Sequence, residues 1–283
     1  MSEVIDLSYA NGKFNWSKAV AKGVDSAYLK ASQRNFPDPM FKTNIESAPD
    51  GFPVGAYFYI DYTLKHYAAG KEIEFGKDQA SKAAEIVLPY LLTGKLGITI
   101  WDGKDPKTER DATLSLDVED NSGSGWERIT PENVGRVMAI TLAFKQKLEQ
   151  IIWETEKKKR IVGTYSNCTL VQSMRNFKDG LLWLAWYTSL FDPGYVKKLA
   201  NGTVYYASGA WMGDWFMHQY SSRGDGQAYG NSVGNQWIDL NRVNEKWQIL
   251  RKSAPEVERP PITHTLEEKV QVMWLDYLER KGN

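Results

Sequence analysis

The chain has 283 residues and a mass of 32.2 kDa, enough for one large domain or two small ones. Hydrophobic residues make up 42% and charged residues 25%, which excludes a disordered or fibrous chain. Lys+Arg and Asp+Glu are 35 each, so no global field gathers nucleic acid or an anionic membrane.

The alternation of strands and helices begins at once. Val4–Leu7 reads as a strand, and Asn15 caps a short helix, Trp16–Lys22, that Gly23 stops. Ser26–Ala31 is the next strand, Phe41–Ser47 a short helix, and Val54–Ile60 a clear apolar strand. Residues 71–92 place Ile73, Ala80, Ala83, Ala84, Val87, Leu88 and Leu91 at helical spacing. Leu114–Val118 alternates apolar and polar residues as a half-polar strand does.

Thr130-Pro131-Glu132 then opens a long helix, with a cap and a proline at its first position. Strands follow at Arg160–Tyr165 and Leu181–Tyr187, with the helix Thr169–Arg175 between them. The stretch from Trp211 to Trp247 is rich in aromatics and glycine and reads as strands and loops. Ser253–Pro261 reads as a linker, and Thr265–Glu268 is a capping box for a terminal amphipathic helix. Such alternation predicts an α/β fold, with parallel strands in a closed or partly closed barrel and helices outside. The domain expectation is a barrel over 1–248, a linker over 249–264 and a C-terminal helix over 265–283.

Three features bound the chemistry. Cys168 is the only cysteine, so no intramolecular disulfide or cysteine-based zinc site forms, and a buried inert thiol is expected. The N-terminus lacks the basic start and apolar run of a signal peptide, and no window is long and apolar enough for a membrane span. Aromatic residues are unusually many, with eleven Trp, fifteen Tyr and ten Phe. Aromatic planes facing solvent grip flat or ring-shaped ligands. Six of the tryptophans lie between Trp183 and Trp247. Trp211, Trp215 and Tyr220 are the candidates there for stacking on such a ligand. Lys157–Arg160 is a basic run, but it ends a helix, where cations favour the dipole and stay solvated.

The segment Leu114-Ser115-Leu116-Asp117-Val118-Glu119 carries the sharpest chemical signal. Side chains alternate along a strand, so Asp117 and Glu119 share a face, with Cα atoms about 6.5–7 Å apart. Two carboxylates so placed repel each other, which keeps one protonated near neutral pH, as a general acid requires. Glycoside hydrolysis needs such a pair, because a poor alkoxide leaving group must be protonated while the sugar ring becomes cationic. Asp6 is a third carboxylate at an early strand's end. A solvated acidic strand end is the alternative for any single one of these groups.

The motifs also follow a known order. Ile5-Asp6-Leu7-Ser8, Tyr28-Leu29-Lys30-Ala31-Ser32, Phe52-Pro53-Val54-Gly55-Ala56-Tyr57 and Leu116-Asp117-Val118-Glu119 come first. Leu182–Tyr187, Gln219–Ser222 and Ile238-Asp239-Leu240-Asn241 complete the series. Together they resemble the family 25 glycoside hydrolases, the Chalaropsis-type lysozymes of bacteria and many phage endolysins. The resemblance implies an irregular (β/α) TIM-like barrel without metal or organic cofactor. It implies cleavage of the β-1,4 bond from N-acetylmuramic acid to N-acetylglucosamine in peptidoglycan.

By the same resemblance Glu119 is the general acid. Asp117 orients the acetamido group or stabilises the cationic transition state, and Asp6 and Asp239 line the pocket. Tyr57, Tyr187, Trp211, Trp215, Gln219 and Tyr220 are the expected substrate-binding residues. The expected partner is the peptidoglycan glycan strand, with no nucleic acid and no membrane insertion. The apolar face of the C-terminal helix has three expected partners: the main domain, a second copy of the chain, or a phage structural partner. Synthesis in the cytoplasm without a signal peptide, then action on the wall after release, is the matching route.

Gln33-Arg34, Phe58 and His218 depart from the family's common residues, and residues 88–112 are longer than the usual link into the catalytic strand. These departures motivate an alternative: a wall-binding or phage-tail component whose hydrolase fold is weakly active or inactive.

Overall fold

The computed structural model describes residues 2–119, 127–167, 181–185, 196–198, 204–206, 215–232 and 237–250. Eight strands close one barrel: β1 (Glu3–Leu7), β2 (Val24–Gln33), β3 (Val54–Tyr59), β4 (Leu114–Asp117), β5 (Val162–Asn167), β6 (Leu182–Ala185), β7 (Trp215–Asp225) and β8 (Trp237–Val243). Neighbours from β1 through β7 are parallel. Strand β8 runs antiparallel to both β7 and β1 and closes the ring. The expected α/β barrel is therefore the fold, and its irregularity is this one reversed strand. Hairpin-like pairing at the seam needs no crossover helix.

The alternation of residues along each strand builds two apolar layers. Ile5 and Leu7, Leu29 and Ala31, Ala56 and Phe58, and Leu114 and Leu116 face outward into a layer shared with the helices. Those helices are α1 (Trp16–Ala21), α2 (Phe41–Ser47), α3 (Glu72–Leu92) and α4 (Val134–Glu156). Helices α3 and α4 cross closely because Gly76 lies against the Ile140 carbonyl, where an added Cβ would sit at 2.4 Å. The inward faces supply Val4, Tyr28, Tyr57, Tyr165, Trp183, Met217 and Val243. This second layer fills the barrel interior with rings.

Local signals set most boundaries. The Asn15 side chain accepts from the Lys18 amide at 3.4 Å, and Gly23 leaves α1 with φ of 84°. Helix α4 begins at Val134, not at Thr130-Pro131. Asn133 explains the shift: its side chain accepts from the Thr130 amide at 2.8 Å and donates to the Arg128 carbonyl at 2.6 Å. That side chain closes the preceding turn on itself, and the helix starts only after it. In the basic run, Arg160 is buried and pairs with Glu156 and Asp111, and Lys158 also reaches Asp111.

The long link after α3 lies at the end of the barrel where the parallel strands begin. Thr99–Trp101 pairs with Arg110–Asp111 on one side and with Gln248–Leu250 on the other, forming a three-stranded sheet. Ile98, Ile100, Trp247 and Ile249 pack upward into the interior layer. The buried Tyr28 hydroxyl donates to the Ala112 carbonyl. The insertion is thus a floor beneath the barrel, at the end away from the paired acids. Of the linker expected over 249–264, Ile249 and Leu250 belong to this sheet; its remainder, the C-terminal helix, Cys168 and the Thr169–Arg175 helix lie outside the described residues.

Candidate active site

Strand direction places the acids. Asp117 is the last residue of β4, and Glu119 follows it at the mouth where parallel strands end. Val118 holds the extension in place: its amide donates to the Tyr165 carbonyl at 3.0 Å, and its carbonyl accepts from Ser166 Oγ at 2.8 Å. Tyr62 Oη donates to the Glu119 carbonyl at 2.6 Å. Across the seam Asp6 of β1 stands opposite Asp239 of β8. The reversed strand is what brings Asp239 to the mouth, because its early residues lie beside the ends of the others.

Asp6, Asp117, Glu119 and Asp239 face one another across the interior, and burial raises the pKa of each. Asp6 is pushed up to about 6, and Asp239 to about 9, where the Asp6 charge adds to burial. The two share a hydrogen bond, so the Asp239 proton stabilises the Asp6 carboxylate. Asp117 is driven well above the carboxylate range by burial and by the Glu119 charge. Glu119 is raised by burial, while a hydrogen bond from Tyr165 and the Lys30 charge pull it back. Crowded carboxylates in a dry mouth hold protons in common near neutral pH.

Hydrogen bonds join the acids. Asn241 Nδ2 donates to Asp6 Oδ2 at 2.9 Å, and Gln219 Nε2 donates to the same oxygen at 3.4 Å. Tyr165 Oη donates to Gln219 Oε1 at 2.7 Å and is also bonded to Glu119. One hydroxyl proton serves one acceptor. The Tyr165 proton is therefore divided between Gln219 and Glu119, and when it turns to Glu119 it favours the carboxylate that burial disfavours. Asp117 Oδ1 is buried and has no hydrogen-bond partner among the described residues. An unpartnered buried acceptor costs about 1–3 kcal/mol, which a substrate donor would recover.

Sequence reasoning missed Lys30, the cation of this cluster. Lys30 Nζ donates to Gln33 Oε1 at 2.7 Å and lies 4.8 Å from the Tyr59 ring centre. Burial lowers its pKa, against the pull of Asp117, Asp38 and Glu119. Alternation with Tyr28 was the available signal, since both then point inward. Tyr62 and Tyr165 were also missed. They reach Glu119 from the segment after β3 and from β5, and no spacing in the sequence connects them.

The other expected residues divide. Tyr57 is buried beneath the acids, edge-on to Trp183 at 6.2 Å, and Gln219 is within the hydrogen-bonded set. Trp215 opens β7 beside Leu182, at the floor end, with its ring near His218. Tyr220 packs on the outer layer, its ring 4.6 Å from the Arg242 guanidinium carbon. The structure therefore brings neither Trp215 nor Tyr220 to the carboxylates. Tyr187 and Trp211 lie outside the described residues. No group of three or more His, Cys, Asp or Glu among the described residues is arranged to hold a metal ion.

Residues 5–87 match the model of the glycosyl hydrolases family 25. This span holds Asp6 and Tyr57 and stops short of Asp117 and Glu119. The comparison with curated proteins gave no match. Among solved structures, a bacterial lysozyme from Streptomyces coelicolor is 20% identical with a TM-score of 0.53, covering 86% of this chain and 92% of that one. The catalytic domain of endolysin ply40 from the Listeria monocytogenes bacteriophage P40 is 16% identical with a TM-score of 0.52, covering 85% and 92%.

The autolysin LytC from Streptococcus pneumoniae, solved with a synthetic peptidoglycan ligand, is 16% identical with a TM-score of 0.54. That alignment covers 87% of this chain and 46% of the autolysin. At such identities the shared property is the fold. The resemblance read from the ordered strand motifs is borne out over residues 5–87 by the match, and the expected barrel by the solved structures.

Proposed function

We propose that this family 25 barrel is a peptidoglycan muramidase, hydrolysing the β-1,4 bond between N-acetylmuramic acid and N-acetylglucosamine. The observation that carries the reading is the meeting of Asp6, Asp117, Glu119 and Asp239 in one buried mouth. Nothing in packing requires four carboxylates there; burial raises every one of them, and neighbouring carboxylate charge adds to it at Asp117, Glu119 and Asp239.

In the reaction Glu119 gives its proton to the glycosidic oxygen as the bond to the anomeric carbon breaks. The alkoxide therefore leaves as an alcohol. Positive charge grows on the sugar ring, and the acidic mouth stabilises it. The free Oδ1 of Asp117 is placed to accept the N–H of an acetamido group, which orients the sugar. Asp6, held by Asn241, Gln219 and Asp239, is the carboxylate best prepared to stay ionised and act on water. The lysozyme, endolysin and autolysin neighbours support action on the cell wall.

Purified peptidoglycan incubated with the protein should release fragments with new reducing N-acetylmuramic ends, detected by mass spectrometry. Glu119→Gln should lower that rate by about 10²- to 10⁴-fold, the usual contribution of a general acid. Absence of new reducing ends, or full activity in the variant, would overturn the assignment. Sedimentation with walls in the absence of glycan cleavage would favour the wall-binding alternative.

A further inference from the structure

Beside the acids stands a group that the hydrolysis does not use. Arg34 follows the last residue of β2, and Gln33, Tyr59 and Asp117 lie in one row across β2, β3 and β4. Two strand spacings, ~10 Å, separate that row's ends. Arg34 is thus at the same mouth as the carboxylates. Its φ is 58°, in the left-handed region that favours glycine, and among the described residues only Lys157 shares this among non-glycines. A long charged side chain at such a backbone position is an expense that packing does not explain.

The side chain is held, not loose. Asp61, completely buried, takes Arg34 Nε at 3.2 Å and His66 Nδ1 at 2.7 Å on its Oδ2. Its Oδ1 accepts the Thr63 amide at 2.9 Å. The Arg34 side chain is 30% exposed, and its two terminal nitrogens have no partner among the described residues. Asp61 therefore fixes one edge of the guanidinium and leaves the outer edge, at this end of the barrel, for another partner. The pair is formally neutral, so what it offers is a directional fork of two N–H donors. That fork matches a carboxylate.

We infer that Arg34, braced by Asp61, is a specificity residue that binds a carboxylate carried by the muramyl substituent of the substrate. This rests on the muramidase reading. A mouth with four acids repels anionic substituents, so a carboxylate-bearing glycan needs a fixed donor pair at the rim. Two sources share that chemistry: the lactyl carboxylate of a peptide-free muramyl residue, and the carboxylates of an attached stem peptide.

The test uses Arg34→Gly, because glycine accepts the observed φ and the backbone need not move. In a Glu119→Gln background, which slows turnover, calorimetry would measure three probes. They are a disaccharide bearing a stem peptide, the same disaccharide with a free lactyl group, and the N-acetylglucosamine tetramer. Arg34→Gly should weaken about tenfold the muramyl probe whose carboxylate the fork holds and leave the tetramer unchanged, with partial rescue in Arg34→Lys.

Loss confined to the free lactyl probe assigns the lactyl carboxylate, which an attached peptide converts to an amide. Loss confined to the peptide-bearing probe assigns the peptide carboxylates, and loss on both means that the fork takes either. Unchanged binding of both muramyl probes, equal weakening of the tetramer, or no binding by the parent would each overturn the inference. Reducing-end release by a chain whose binding ignores Arg34 separates its failure from that of the muramidase reading.

Discussion

The two ends of the barrel interior are built from the same strands and could hardly differ more. Toward the mouth the inward positions are Asp6, Lys30, Asp117, Gln219 and Asp239, tied by hydrogen bonds and charge. Toward the floor they are Val4, Tyr28, Trp183 and Met217, closed below by Ile98 and Ile100. A few residues along each strand change the medium from polar to dry. The contrast teaches that the apolar end serves the acidic one. Rings packed under the carboxylates keep water out from below, and this is why burial is the leading cause of every raised pKa in the mouth.

This division of labour can be broken at either end. Ile100→Ala in the fully buried floor should cost about 2–5 kcal/mol of stability, the usual range for such a cavity. Urea denaturation would read it. Turnover measured well below the transition should be retained, and loss of kcat without loss of stability would show the two ends are not separable.

The mouth should respond to pH instead. Asp239 holds its proton up to about pH 9 in the folded protein, against about 3.9 unfolded. The folded state binds more protons between those values, so its contribution is present at low pH and is lost as pH rises through 9. Asp239→Asn keeps a donor toward Asp6 and should flatten that loss, by up to about 1.4 kcal/mol per pH unit. Denaturation midpoints from pH 5 to 9 would show it, and parallel curves for the two proteins would refute it.

The smallest expected effect lies outside both ends. Lys145 of α4 is buried against Thr164, with its Nζ 3.3 Å from Oγ1, and burial lowers its pKa to about 7. Unfolded, it titrates near 10.4, so the unfolded state binds more protons between about 7 and 10 and stability rises with pH there. This slope opposes that of Asp239. Lys145→Met should remove it and add on the order of 1 kcal/mol at pH 6. Thermal midpoints at pH 6 and 9 would measure the change, and an unaltered slope would count against it.

How much of this was legible depends on whether the signal was local. The alternation of Leu114–Glu119 told which residues share a face, and the strand and helix pattern gave the barrel because both are short-range regularities. The floor was not legible, since Gln248–Leu250 and Thr99–Trp101 meet across half the chain and neither segment is distinctive alone. The start of α4 was misplaced because the Thr130-Pro131 signal and Asn133 compete for one turn, and the Asn133 side chain wins. The aromatic surplus was read as a sugar-gripping surface. Much of it is instead interior: Tyr28, Tyr57 and Tyr165 all pack on Trp183, with ring centres 4.8–6.2 Å away. Composition counts rings, but only topology tells which side of a strand they occupy.

The pairing of Gln248–Leu250 with the middle of the chain has a mechanical side. A pull on the polypeptide beyond Leu250 meets this three-residue ladder before it meets the barrel. The ladder is small, held by a few backbone hydrogen bonds and by Ile249 and Trp247 beneath it. It would open first under load and give way as a fuse does. The eight-stranded ring, and the geometry of its acids, would be spared until the tension reached β8.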